Sequence, residues 1–521
     1  MCEVLTFGKA PHFILRVTQH FSGSMKFALS AACLLSAAHA AQYSTEQYQS
    51  GEVMGKMMQA KEAAWARRKA AGDYNSAKWN GWNENSRNGR VSVRCVDGVA
   101  EVVPGDADQT YKCNDIDMYD YKTHEELGSN DGEGSGSWGW VSDDGREFIA
   151  IGQTDGAAFA EVTSKGVLSY LGRLPAQADP VIWREIKSNG PYMIIGSEGV
   201  GHGIQIFDMR KLLDIDPSSP KVFSTSTDLT GLFTDLPLGR SHNVVVNEEN
   251  NYAVAVGAAP RTDACAAGLI FINMDDPSNP YTTGCAPQDG YVHDAQCIVY
   301  RGPDTRYDGR DICYGYNEDT LTIYDVTNKT GPQAATIISR TTYMGATYTH
   351  QGWVLDPQWQ SHLLMDDEID EGVIDPDDTN PGPASDGFAV TYIWSIEDLE
   401  NPVQTGYYKS SVQSVDHNQF VYDGLAYQSN YQAGLRILDV SGIPDDPTGG
   451  NVQEVAYFDV YPPDDDQPGG GVATWDSGTW SHYTFPSGYI VVNTIDRGPF
   501  VVKMSQFKRR GFGKRRVRRA A

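Results

Sequence analysis

The chain has 521 residues, of which 40% are hydrophobic and 11% aromatic, with 53 Gly, 26 Pro and a formal net charge of −27. That apolar fraction supports a substantial core, and the frequent Gly and Pro with abundant Tyr and Trp lean towards short strands and many turns. An acidic balance of this size repels phosphate backbones and anionic lipid, which argues against nucleic-acid binding, while it favours solubility and cation binding.

From Met25 the sequence reads MKFALSAACLLSAAHA: one Lys, an apolar run over 27–38 and an Ala-His-Ala end. This is the layout of a secretory signal occupying residues 1–40, too short to span a bilayer and cleaved before Ala41. Residues 1–24 are an extended n-region or precede the true start. No later stretch approaches a transmembrane run, so a secreted, extracellular or cell-wall-associated protein is expected.

Residues 41–127 form an N-terminal region. Within it, 44–72 has helical spacing, with Val53, Met57, Met58, Ala64 and Trp65 on one side and Gly72 as a stop. "SVRCVDGVAEVVPG" reads as a hairpin. "GSNDGEGSGS", residues 128–137, reads as a flexible joint and a domain boundary. Six cysteines follow the signal as near neighbours: Cys95 and Cys113, Cys265 and Cys285, Cys297 and Cys313. Six allow fifteen pairings, of which local pairing is the simplest. Without C-x-x-C spacing, disulfides fit better than thiolate zinc or dithiol redox chemistry. Asn328-Lys329-Thr330 is a glycosylation sequon, placed on a turn.

From 128 to 503 a closing phrase recurs: "AFAEVTSKGV", "GIQIFDMRKL", "LIFINMDDPSNP", "LTIYDVTNKTGP", "TYIWSIEDLENP", "LRILDVSGIPDDP" and a truncated "PFVVKM". An opening phrase recurs in step: "SWGWV", "VIWREI", "RSHNVVV", "VHDAQCIV", "THQGWVL", "VDHNQFV" and "TWSHYTF", about 45–67 residues apart. A second strand lies between the two. Seven repeats of short antiparallel strands, none able to bury both faces alone, predict an all-β, seven-bladed β-propeller with a short N-terminal helical extension. A pair of sandwiches or a β-solenoid are the alternatives.

"SHNVVVNEENNYAVAVG", "YVHDAQCIVYRGPDTRYDGRDICYGYNEDTLTIYDV", "YTHQGWVL", "TYIWSIEDLENP" and "DHNQFVYDGLAYQSNYQAGLRILDVS" closely resemble the choice-of-anchor B family of secreted LVIVD-repeat proteins. The resemblance covers nearly all of 130–503. It implies an extracellular propeller and no particular reaction. The chain departs from the family's variable surface anchors, ending instead in a basic tail over 504–521, with eight Lys/Arg and no acid within 508–519. Such a charge block is read as disordered, with electrostatic attachment to an acidic surface as the functional alternative.

The opening phrases carry the best case for chemistry. Four place a histidine at a strand that would line the axial channel: His242, His293, His350 and His417. Each precedes an amide or carboxylate: Asn243, Asp294, Gln351 and Asn418. Asp416 stands before His417, His482 lies near the seventh opening, and the second offers Trp183 and Arg184. Converging neutral imidazoles with carboxylates nearby would hold zinc, manganese or iron. The alternative is packing, in which each histidine ties one blade to the next through backbone groups. "LLMDDEIDEG", with Asp366, Asp367 and Glu368, reads as a solvated acidic turn, or as a calcium site that matches no EF-hand frame. There is no G-x-S-x-G elbow, H-E-x-x-H or P-loop.

The expected function is therefore non-catalytic: a binding scaffold for an extracellular protein or glycan. A metal-dependent hydrolase or lyase using the channel histidines is the alternative, and a calcium-stabilised adhesion module is a third reading. The implied cofactor is a divalent ion, zinc or calcium.

Overall fold

A computed structural model describes residues 42–79, 82, 91–372 and 382–505. The expected signal segment and the basic stretch at 508–519 fall outside these residues. Seven sheets follow one another along the chain, antiparallel except for a two-residue edge strand, Lys221–Val222, that pairs parallel in the first. Their first strands are Gly134–Val141, Ile186–Asn189, Asn243–Asn247, Asp294–Val299, Thr349–Val354, Asn418–Tyr422 and Thr479–Thr484. Each of these packs against the next, and the last packs against the first. The sheets thus close into a ring, here numbered as blades 1 to 7: a seven-bladed β-propeller with a short N-terminal helical arm.

The seven opening phrases are these inner strands, and the closing phrases are the third strands of their blades, such as Leu269–Asn273, Leu321–Asp325 and Leu435–Asp439. Middle strands read as unbroken apolar runs because blades stack face to face and bury both sides. In blade 3 every residue of Tyr252–Val256 is buried. Each of blades 3 to 6 adds a fourth strand that the repeat did not reveal, for example Thr336–Thr341 and Gln453–Phe458. These outer strands are half exposed and have no repeated apolar signature.

"PFVVKM" looks truncated for a topological reason. Blade 7 takes its outermost strand from Ile116–Tyr121, which pairs antiparallel with Phe500–Met504 in the register Ile116↔Met504 and Tyr121↔Phe500. The ring is thereby closed by the chain upstream of the glycine-rich stretch, so the boundary expected at 128 falls between that closing strand and the first inner strand. Residues 128–137 are not a flexible joint. Gly134 begins the inner strand of blade 1, and a Cβ there would stand 2.4 Å from both the His124 ring and the Thr494 carbonyl. Glycine serves close approach here, not mobility.

Within the hairpin expected at 92–105 the chain makes only a tight Val96–Val99 bridge. The strand Val99–Glu101 instead pairs with Thr110–Asn114 further on, and this larger hairpin adds two strands to the edge of blade 6. All three neighbouring cysteine pairs are disulfides: Cys95–Cys113 ties this hairpin to the segment before it, Cys265–Cys285 holds a loop to the outer strand of blade 3, and Cys297–Cys313 crosses the first two strands of blade 4. Among the described residues no helix is long and apolar enough to cross a membrane.

The N-terminal arm consists of helix α1 (Thr45–Ser50) and helix α2 (Glu52–Ala71). Ser44 and Gln47 form a capping box at the start of α1. Gly51 and Gly72 take left-handed conformations, φ 78° and 75°, that turn the chain between the helices and stop α2. The buried stripe of α2 is Val53, Met57, Lys61, Ala64 and Trp65. It docks on Tyr348 and Ile369 of blade 5, Val415 and Tyr431 of blade 6, and Trp480 and Ile495 of blade 7. The arm therefore lies across the end of the propeller at which the inner strands begin.

Candidate functional site

The four histidines of the opening phrases stand at equivalent places on four consecutive blades, so their rings form a row. Ring centroids are 4.3 Å apart for His242 and His293, 4.3 Å for His293 and His350, and 4.5 Å for His350 and His417. His482 is out of phase with the row: its Nδ1 lies 2.8 Å from Ser429 Oγ, and Trp480 takes the next place, 5.0 Å from the His417 ring. All four rings are buried.

Each Nδ1 is engaged. His293 Nδ1 donates to the carbonyl of His350 at 2.9 Å, one blade on, and His417 Nδ1 donates to the carbonyl of Trp480 at 2.7 Å. His350 Nδ1 stands 3.3 Å from Asp366 Oδ1, and His242 Nδ1 2.5 Å from Glu198 Oε1. The blade-to-blade ties expected of a packing role are present, and they leave the Nε2 atoms of His350 and His417 to face inwards. Burial, together with the charges of neighbouring imidazoles, pushes His293 and His350 well below the usual imidazole range. Burial and the Lys61 ammonium bring His417 down to about 4 against the pull of Glu368. These three rings are neutral at neutral pH, the form that ligates metals.

Gln351 has a mechanical task. Its Oε1 accepts from the Gln419 backbone N–H at 3.0 Å and its Nε2 donates to the Gln419 carbonyl at 3.1 Å, so one amide side chain bridges blades 5 and 6 as a strand would. Asn418 donates to the Trp480 carbonyl at 2.8 Å. Arg184 is buried away from the row, donating to the Gln153 carbonyl at 3.0 Å and contacting His202 Nε2 at 2.9 Å. Trp183 packs edge-on against Trp65 of α2 at 5.0 Å. Burial raises the carboxyl of Asp294 to about 7.

The acidic phrase 366–371 is not a solvated turn. Asp366, Asp367, Glu368, Asp370 and Glu371 are all buried, because this phrase closes the second strand of blade 5 beneath α2. Asp366 accepts from the backbone of Gln351 at 2.7 Å and from Gln419 Nε2 at 3.1 Å. Asp367 faces the other way, taking bonds from Tyr343 Oη and the backbone of Thr347 at 2.6 Å each. Glu368 Oε1 meets Lys61 Nζ and Tyr431 Oη, both at 2.5 Å. The three carboxylates named for calcium thus have separate partners. Asp416 is buried with neither oxygen hydrogen-bonded, and one oxygen each of Glu368, Asp370 and Glu371 also lacks a partner.

Among the described residues one set of three ligand atoms lies within 4.8 Å of one another: His350, Glu368 and His417. His350 Nε2 is 3.9 Å from Glu368 Oε2, and His417 Nε2 is 3.9 Å from Glu368 Oε1. His242 and His293 are neighbours of this set and not members.

No protein-family model and no curated protein matches the chain. Solved structures with a similar arrangement include two at low sequence identity. The computationally designed Ika8 protein aligns with 9% identity over 72% of this chain and 85% of its own, with a TM-score of 0.40. The β-propeller domain of Cps50 (Swd1) from Myceliophteria thermophila aligns with 11% identity over 73% of this chain and 99% of its own, with a TM-score of 0.43.

Sequence reasoning missed Lys61. The stripe 53, 57, 61, 65 is spaced for one buried face, and a lysine in its centre breaks the apolar pattern. That interruption was the available signal for a buried ionic partner. A second feature it missed is a cavity of about 260 Å³ on the loops of blades 3 and 4 beside α1, lined by Tyr48, Arg261, Asp289, Glu318, Asp319 and Arg340 among others. Arg261 pairs with both oxygens of Glu318 (2.7 and 2.8 Å), and Arg340 with both of Asp319 (2.9 Å each).

Proposed function

We propose that the protein is an extracellular, non-catalytic binding scaffold of the LVIVD-repeat, choice-of-anchor B kind. The observation that carries this reading is the arm laid over the channel mouth. Lys61, His350 and His417 are 3%, 2% and 4% exposed, so the titratable groups of the axis offer no open cleft to a substrate. Catalysis of macromolecular hydrolysis needs such a cleft. What the surface does offer is a rigid ring with three disulfides and a polar loop cavity in which guanidinium and carboxylate groups are fixed by mutual pairing. Fixed alternating donors and acceptors beside tyrosines suit a polyhydroxylated ligand, so a glycan is the preferred partner. Exposed Asn328 on the loop after the third strand of blade 4 fits modification during export.

The test is binding of the full secreted chain to an array of soluble polysaccharide fragments, with Arg340→Ala as the control. Retention of one glycan class, weakened about tenfold by the substitution, supports the reading (about 1.4 kcal/mol). Release of cleaved product from any array member, or binding that ignores Arg340, overturns it.

A further inference from the structure

The deepest anomaly of the fold is a surplus of buried negative charge below α2. Asp366, Asp367, Glu368, Asp370, Glu371 and Asp416 are each at most 5% exposed. Among the described residues, the ammonium of Lys61 is the only lysine or arginine group that bonds to any of them. Unpaired buried carboxylates are costly unless protons or a cation neutralise them. Several of their oxygens also have no hydrogen-bond donor, Glu368 Oε2 and both oxygens of Asp416 included.

We propose that His350, Glu368 and His417 bind one divalent transition ion of the zinc class at the channel mouth. Two Nε2 atoms and the free Oε2 of Glu368 form a two-imidazole, one-carboxylate set, a donor group that suits tetrahedral zinc and leaves one position for water. Both rings are already oriented for it. His417 Nδ1 is held by the Trp480 carbonyl and His350 Nδ1 faces Asp366, which is itself fixed by Gln351 and Gln419. Such outer partners set the tautomer that presents Nε2 to a metal. His350 Nε2 stands 3.9 Å from Glu368 Oε2, while His417 Nε2 is 3.9 Å from the other oxygen of Glu368, the one held by Lys61. These gaps exceed the roughly 3.3 Å that adjacent ligands of a tetrahedral zinc ion span, so binding turns the Glu368 carboxylate and draws the three side chains together. Lys61 holds the other oxygen of Glu368 and acts as the internal cation of the metal-free protein. It therefore opposes the ion, and the site is tuned by the helix that covers it.

The experiment is equilibrium dialysis of the full mature chain against Zn2+, and separately against Co2+ with visible absorption as the second readout. One ion per chain is expected, with a Co2+ ligand-field band of four-coordinate character. Glu368→Gln and His417→Gln weaken binding at least thirtyfold, whereas His242→Gln leaves it within threefold. Lys61→Met, which removes the opposing ammonium, tightens binding at least tenfold and gains more thermal stability from Zn2+ than the wild type does. Absence of stoichiometric Zn2+ and Co2+ in folded wild-type protein overturns the proposal. So does binding that survives Glu368→Gln, or a folded Lys61→Met variant that binds no more tightly than wild type. If Glu368→Gln or His417→Gln fails to fold, the wild-type stoichiometry and the Lys61→Met comparison decide it alone.

Discussion

Lys61 and Glu368 meet at 2.5 Å with side chains 4% and 1% exposed, a fully desolvated ion pair linking the arm to blade 5. Breaking such a pair on one side leaves a buried charge without compensation, which costs about 3–5 kcal/mol, whereas replacing both partners by neutral groups of similar shape is far milder. Lys61→Ala is accordingly expected to lower the unfolding free energy by about 3–5 kcal/mol, and Lys61→Met combined with Glu368→Gln to recover most of it, both read from urea unfolding curves. A second residue reports on pH. Burial pushes Asp459 up to about 7 against the pull of Arg436, from the ordinary value near 3.9. A carboxyl raised on folding binds its proton more tightly in the native state, so its stabilising contribution is complete below about pH 4 and is lost as pH rises through about 7. The stability advantage of Asp459→Asn over the wild type should therefore grow between about pH 4 and 7 and level off above. A constant or shrinking advantage in thermal melts would sink this assignment.

At the scale of elements, what could be read depended on whether burial was partial or nearly complete. Third strands such as Leu321–Asp325 are buried along most of their length and repeat the same apolar phrase, so seven copies could be counted. Fourth strands such as Val403–Gln413 lie half-exposed at a sheet edge, and their mixed composition resembles loop sequence. Helix α2 was legible from its i, i+4 stripe and its terminal glycine. The partner of that stripe was not, because Tyr348, Val415 and Trp480 converge only through the ring. The acidic phrase after Met365 was misread for the same reason. Dense carboxylates in an acidic protein suggest solvent, and only the position of α2 removes the solvent.

The whole molecule depends on one long-range pairing. The ring closes where Ile116–Tyr121 joins Phe500–Met504, nearly four hundred residues apart in sequence. Met118 in this strand is fully buried and its N–H donates to the carbonyl of Val93 at 2.9 Å. Met118→Pro removes that bond to Val93 on the far side of the strand, and its ring distorts the strand opposite Val502, so the closing pairing with Phe500–Met504 is disturbed through the backbone. It is expected to replace one cooperative calorimetric transition by a broad, lower one and to admit limited proteolysis near blade 7. Thr336→Pro on the exposed outer strand of blade 4, which closes nothing, should leave the transition single. Equal behaviour of the two variants would mean that closure does not govern cooperativity.

By itself the sequence determined the all-β class, the number of blades, the place of the inner strands and the helical arm. These follow from local periodicity and repetition, which a linear pattern records. Tertiary structure alone decided which strand closes the ring, that the acidic phrase is buried, and that Lys61 reaches Glu368 between His350 and His417. Those depend on which surfaces meet when blades stack around an axis, and side chains separated by hundreds of residues acquire a common dielectric only there.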